Sequence, residues 1–233
     1  MTKKVAVVTA ASKGMGAACA TELAQRGYDI VLMSRSDAVL ELANKLEGMG
    51  FQGDVMNPAD LERVVSDAYQ QFGRIDAVIN NTGHPPKGDL LEISDQEWHD
   101  SLDLLLLNVV RTARLVVPIM EKNGGGSIVN ISSFGAIEPS LAFPLSSALR
   151  AALSAFTKLF ADRYADRGIR MNTVLPGFVD SYPIDNDTRA QIPMQRAGST
   201  KEIAKTVAFL LSDHAGYITG QSICVDGGLG RSF

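Results

Sequence analysis

A run of small residues, Ala10-Ala11-Ser12-Lys13-Gly14-Met15-Gly16, follows the apolar segment Val5–Thr9 and opens a stretch of helical patterning. A strand, a glycine turn and a helix N-terminus in that order make an anion site. Unpaired N–H groups and the helix dipole face the ligand, and glycine lets a pyrophosphate approach the backbone. Lys13 adds a positive charge to the turn. A second chemistry-bearing residue is His84, which directly follows Asn80-Asn81-Thr82-Gly83. An imidazole can donate a proton near neutral pH. His99 and His214 fall at helix boundaries and read as solvated. Cys19 and Cys224 have no metal-like or disulfide-like spacing. They are expected to be small buried side chains, and no metal site is expected.

The elements that must position these residues are legible as alternating patterns. Short apolar runs at Val5–Thr9, Ile30–Met33, Phe51–Asp54, Ala77–Asn80, Ser127–Ser132, Arg170–Leu175 and Ser222–Val225 read as strands buried on both faces. Helical stretches lie between them, among them Met15–Arg26, Ala59–Phe72, Trp98–Glu121, Ser146–Asp166 and Lys201–Leu211. Asn57-Pro58, Ser94 and Ser199-Thr200 read as helix starts, with Glu97 and Glu202 placed for capping boxes. Gly27, Gly73 and Gly168 read as stops. Such alternation predicts one α/β domain over residues 1–233, a doubly wound parallel sheet of about seven strands with helices on both faces. Pro176–Arg196 has little pattern, and a loop of that length in a compact domain is expected to be functional, as a lid for instance.

The chain has 233 residues, 45% of them hydrophobic and 21% charged, with a net charge of -4. These values exclude disorder, collagen and a disulfide miniprotein. A mildly acidic chain is not expected to bind nucleic acid, which needs a basic face. Its longest apolar run, near Leu104–Val110, is far short of the ~20 residues that span a bilayer. The apolar run before Thr9 is too short for a signal peptide. A cytoplasmic protein with no membrane partner is expected.

The glycine turn resembles that of the short-chain dehydrogenase/reductase family, classical type, whose Rossmann-type fold opens with Thr-Gly-x-x-x-Gly-x-Gly. Here the pattern is Thr9-Ala10-x-x-x-Gly14-x-Gly16, with alanine for the first glycine. The resemblance extends along nearly the whole chain and is nearest to 3-oxoacyl-ACP-reductase-like members. Asp54-Val55 resembles the family's adenine-contacting pair, and Asn80-Asn81-Thr82-Gly83 its Asn-Asn-Ala-Gly motif. Asn108 matches a helix asparagine and Ser133 the serine after the fifth strand. Pro176-Gly177, with Val179 beyond it, matches the segment that meets the nicotinamide. Tyr217-Ile218-Thr219-Gly220-Gln221 and Val225-Asp226-Gly227-Gly228 match the C-terminal signature.

The resemblance implies a nicotinamide dinucleotide held by Thr9, Ala11, Ser12, Lys13, Gly14, Met15, Gly16, Asp54, Val55, Asn81, Thr82, Gly83, Pro176, Gly177 and Val179. An acidic residue after the second strand would bind the ribose 2′-hydroxyl of NAD. The strand ends instead in Ser34-Arg35, which suits a 2′-phosphate. NADP(H) is therefore expected ahead of NAD(H). Asp37 belongs to the next helix start.

The family's catalytic pair, Tyr-x-x-x-Lys, lies about thirteen residues past its serine. That register here reads Ser146-x-x-x-Arg150. A serine hydroxyl is a far weaker acid than a phenol of pKa ~10. Arg150 stays charged and can still hydrogen-bond ribose hydroxyls. Ser133, with Ser146, is expected to polarise a carbonyl, and water, His84 or Tyr182 to supply the proton. Asn108 is expected to bind backbone and a water.

Two functions stay open. One is an NADP(H)-dependent oxidoreductase with an atypical site, acting on a carbonyl or related small-molecule substrate. The other is a non-catalytic NADP(H)-binding sensor or regulatory subunit. A non-redox lyase or isomerase has no residue to name its base. By resemblance a homo-oligomer, dimer or tetramer, is expected.

Overall fold

The computed structural model describes residues 3–231. Met1, Thr2, Ser232 and Phe233, at the two ends of the expected domain, lie outside the described residues. The first apolar run forms β1 (Val5–Thr9), with every residue buried. Successive strand side chains point to opposite faces. Accordingly Ala6 and Val8 join one core while Val5 and Val7 join another. Both faces of the sheet must then be covered, and the chain does so by alternating strands with helices. The remaining strands are β2 (Asp29–Ser34), β3 (Met49–Gln52), β4 (Ala77–Asn80), β5 (Gly126–Ile131), β6 (Ile169–Pro176) and β7 (Ser222–Val225). All pair in parallel, in the order β3-β2-β1-β4-β5-β6-β7. The helices are α1 (Gly14–Gln25), α2 (Ala38–Lys45), α3 (Pro58–Phe72), α4 (Asp95–Leu102), α5 (Asn108–Lys122), α6 (Pro144–Tyr164), α7 (Asn186–Gln191) and α8 (Thr200–Leu211). Helices α1, α2 and α8 supply one core and α3, α5 and α6 the other.

The end signals work as their chemistry requires. Asn57 accepts a bond from the Ala59 amide at 3.1 Å. Ser94 with Glu97, and Ser199 with Glu202, form complete capping boxes. Gly73 and Gly168 close their helices at φ +70° and +71°, where side chains are disfavoured.

Four expectations need correction. β3 lies at Met49–Gln52, earlier than Phe51–Asp54, because Asp54 takes part in a turn with Met56 and Asp60. The stretch Trp98–Glu121 is helical throughout but not regular: a π-helical turn, Asp103–Leu107, lies between α4 and α5. The loop Pro176–Arg196 contains α7, capped by Asp185 on the Thr188 amide. Cys19 is buried, and burial pushes its thiol up to about 12, but Cys224 is exposed. It lies on β7, which has a neighbour on one side only. Among the described residues no helix is long and apolar enough to cross a membrane.

Candidate active site

Strand order reverses direction between β1 and β4, so the crevice beyond their carboxyl ends is where a doubly wound sheet takes a ligand. Thr9 and Asn81 hold that crevice open. The Thr9 hydroxyl donates to the Asn81 carbonyl at 2.7 Å and accepts from its amide at 2.9 Å. The Asn81 side chain donates to the Ala10 carbonyl at 3.1 Å. A cavity of about 520 Å³ follows, walled by the glycine turn, the ends of β2 and β3, and the segment after β4. Ser12, Lys13, Gly14, Met15, Ser34, Arg35, Asp54, Val55, Asn81, Thr82 and Gly83 all line it.

The turn itself is adapted to a close ligand. Gly14 has φ +58°, and no side chain caps α1 at Lys13. The first turn of α1 contains no acidic residue, so its positive end meets the cavity uncompensated. Gly16 serves packing instead: a Cβ there would lie 2.5 Å from the Ala10 carbonyl oxygen. Ala10 adopts φ +46°, the left-handed conformation for which glycine is the usual residue. Ser34 donates to Ser12 at 3.0 Å, tying β2 to the turn. The Arg35 guanidinium is 75% exposed, and its nearest carboxylate oxygen, on Asp54, is 4.0 Å away. That leaves the fork free for an incoming anion.

Thr9, Ala11, Gly16, Arg150, Pro176, Gly177 and Val179 do not line this cavity, and three of them stand behind it. Thr9 is buried and spends its hydroxyl on Asn81. Ala11 is wholly buried and binds the Met33 carbonyl through its amide. Pro176 is buried at the end of β6, paired with Val225. These residues shape the crevice from behind.

A second cavity, of about 480 Å³, adjoins the first. Met15, His84, Ser181 and Tyr182 line both. Ser133, Ser146, Gly177 and Val179 line the second alone, with aromatic walls from Phe134, Phe143 and Phe178. The His84 and Tyr182 rings meet edge to face with centroids 5.5 Å apart. Partial desolvation, then the positive charges of Arg150 and Lys87, hold the His84 pKa below the ordinary imidazole value. These surroundings favour the neutral imidazole.

Ser146 sits in the first turn of α6, one turn before Arg150. Arg150 is 4% exposed and donates from Nε to the Ser146 hydroxyl at 3.1 Å and from Nη1 to the Ile131 carbonyl at 3.0 Å. Burial lowers its pKa to about 10, so it remains a cation at neutral pH. It does not line the first cavity, and its bonds direct it to the end of β5. Ser133 accepts from the Gly135 amide at 3.2 Å. Both serines therefore use their oxygens as acceptors. Among the described residues neither hydroxyl proton has an acceptor, and both face the cavity.

A buried polar ladder, unread in the sequence, sets α6 against the sheet. Asn80 donates to Asn130 at 2.9 Å, Asn130 to Thr157 at 3.1 Å, and Thr157 meets Thr173 at 2.8 Å. Strand-end asparagines with a helix threonine were its only signal, and they point nowhere until the fold brings them together. Asn108 starts α5 directly after the π-helical turn and donates to the Leu104 carbonyl at 2.6 Å. Its Oδ1 is buried with no partner among the described residues, as is the Ser132 hydroxyl. Both have room in their bonding for a water.

The matching family model, described as enoyl-(acyl carrier protein) reductase (adh_short_C2), spans residues 9–230. The chain belongs to the short-chain dehydrogenase/reductase family. It is 35% identical over 236 residues to the 3-oxoacyl-[acyl-carrier-protein] reductase FabG of Escherichia coli K12, covering 97% of each chain. It is 36% identical to the protein of that name from Staphylococcus aureus Mu50, covering 97% of this chain and 98% of the relative. Likeness to this family extends through the whole sheet and both cavities.

Proposed function

We propose that the chain is an NADP(H)-dependent oxidoreductase that reduces a carbonyl or related group, with Ser146 and Arg150 where the family carries tyrosine and lysine. The observation that carries this reading is the junction of the two cavities at His84 and Tyr182. One has the walls of a dinucleotide site; the other presents two hydroxyl donors with unclaimed protons. The uncapped α1, the left-handed Gly14 and the cavity volume fit a pyrophosphate, and Ser34 with Arg35 fit a 2′-phosphate. A reduced nicotinamide held by the glycine turn, Ser34 and Arg35 would supply a hydride to a carbonyl carbon.

Ser133 and Ser146 donate to the carbonyl oxygen, and both bonds strengthen as negative charge develops there. The Arg150 guanidinium, bonded to the Ser146 oxygen, makes that hydroxyl a better donor. His84 and Tyr182 are the candidate proton donors to the resulting alkoxide. Gly177 and Val179, on the second cavity's wall, would hold the nicotinamide end. Residues 176–196 act as the lid, since Ser181 reaches across to Gly14, where an added Cβ would lie 3.6 Å from its own. The relatives' names make a 3-oxoacyl group on an acyl carrier a candidate substrate beside free carbonyls. The protein acts in the cytoplasm as a homo-oligomer, dimer or tetramer.

The test follows NADPH oxidation at 340 nm against a panel of ketones, aldehydes and 3-oxoacyl thioesters. Turnover is expected, reduced roughly hundredfold by Ser146→Ala, the usual cost of losing one oxyanion donor. The absence of any phenol on α6 facing the cavity favours the sensor reading as the alternative. NADPH binding without turnover of any substrate would select it.

A further inference from the structure

Two cations without anionic partners stand at the second cavity, Lys87 on its wall and Arg150 buried behind Ser146. Arg150 is buried, and its acceptors are a carbonyl and a hydroxyl, both neutral. Lys87 lines the cavity itself, with its ammonium 4.7 Å from the Phe143 ring centroid. Among the described residues neither lies within ion-pair distance of a carboxylate. A buried charge without a counterion is costly. The N-terminus of α6, a helix of 21 residues, adds the positive end of its dipole at Ser146.

The cavity wall also carries two acids, each hydrogen-bonded to a backbone amide. Glu138 accepts from the Arg231 amide at 2.6 Å, and Asp185 accepts from the Thr188 amide at 2.7 Å. The charges that act on His84 are both positive, Arg150 and Lys87. Lys87 lines the second cavity and not the dinucleotide one, so the cofactor's phosphates do not explain it.

We propose that the substrate is an anion: a small oxo acid whose carboxylate pairs with Lys87 while its carbonyl lies against Ser133 and Ser146. This rests on the reading of the second cavity as the substrate site. Lys87 is then a specificity-determining residue, and Arg150 both polarises Ser146 and supplies positive potential. The aromatic walls take the carbon chain between the two polar ends.

The experiment separates recognition from turnover. Hexanoate and hexanamide, nearly equal in shape and differing in charge, are titrated into the full-length protein by calorimetry at low salt, without cofactor. Hexanoate is expected to bind at least tenfold more tightly, and Lys87→Met to bring the two within twofold with unchanged melting temperature. Arg150→Met, a swap that buried ion sites often tolerate, should also weaken hexanoate. Equal affinities in the native protein, a preference that survives Lys87→Met, or no saturable binding of either probe would each overturn the proposal. Carboxylate preference without NADPH oxidation would instead sink the reductase reading. Turnover of neutral ketones with no carboxylate preference would sink this one alone.

Discussion

On the proposed reading, Ser146 and Arg150 keep a polarised donor where the family carries tyrosine and lysine. The guanidinium claims the serine oxygen and leaves its proton for a ligand. Arg150→Lys removes the fork that reaches Ser146 and Ile131 together, so it should cost activity roughly as much as Ser146→Ala. His84 carries a pH signature. Its pKa is held down by desolvation and two cations, so its protonated form grows only as pH falls below the ordinary imidazole range. If it is the proton donor, the rate rises through that window, and His84→Ala flattens the profile while Tyr182→Phe leaves it. At Ala10 the left-handed φ of +46° strains an alanine by about 1–2 kcal/mol. Ala10→Gly loses part of that gain to unfolded-chain entropy. A net stabilisation of roughly 0.5–1 kcal/mol is expected, read as a melting rise of about 2–3 °C.

Elements were legible where local chemistry decides them. Capping residues at Asn57, Ser94 and Ser199, and closing glycines at Gly73 and Gly168, marked helix ends correctly because each acts on its own turn. The π-helical break before Asn108 was not legible. An unbroken apolar run is compatible with a regular helix, and the Asn108 bond back to Leu104 accompanies the extra residue without a signal of its own in the sequence. The polar ladder from Asn80 to Thr173 was missed for a similar reason: its members are far apart in sequence. At α8, Ser199→Ala should cost about 1 kcal/mol by losing the cap. The Glu202 carboxyl is lowered to about 2, first by Arg196 and then by Ser199. Since its folded pKa lies below its unfolded value, its stabilisation is complete above the ordinary carboxylate range. It is lost as pH falls from there toward about 2. Glu202→Gln should therefore lower the melting temperature at pH 7 and leave it unchanged near pH 2.

For the whole molecule, the parallel sheet and its two cores could be read from alternation alone, because strands buried on both faces leave few other architectures. Most residues expected around a dinucleotide do line one cavity, while Thr9, Ala11 and Pro176 turned out to stand behind it. Burial of that kind depends on strand register, which sequence spacing does not reveal. Cys224 was misread because exposure on β7 depends on which strand ends the sheet. The assembly of cavities also concentrates the account on one question, whether the first cavity reads a 2′-phosphate. Calorimetric titration of the purified protein with NADPH and with NADH answers it. The account predicts micromolar NADPH binding, at least tenfold tighter than NADH, with the difference abolished by Arg35→Ala. Equal affinity for the two, tighter NADH, or binding of neither would contradict it.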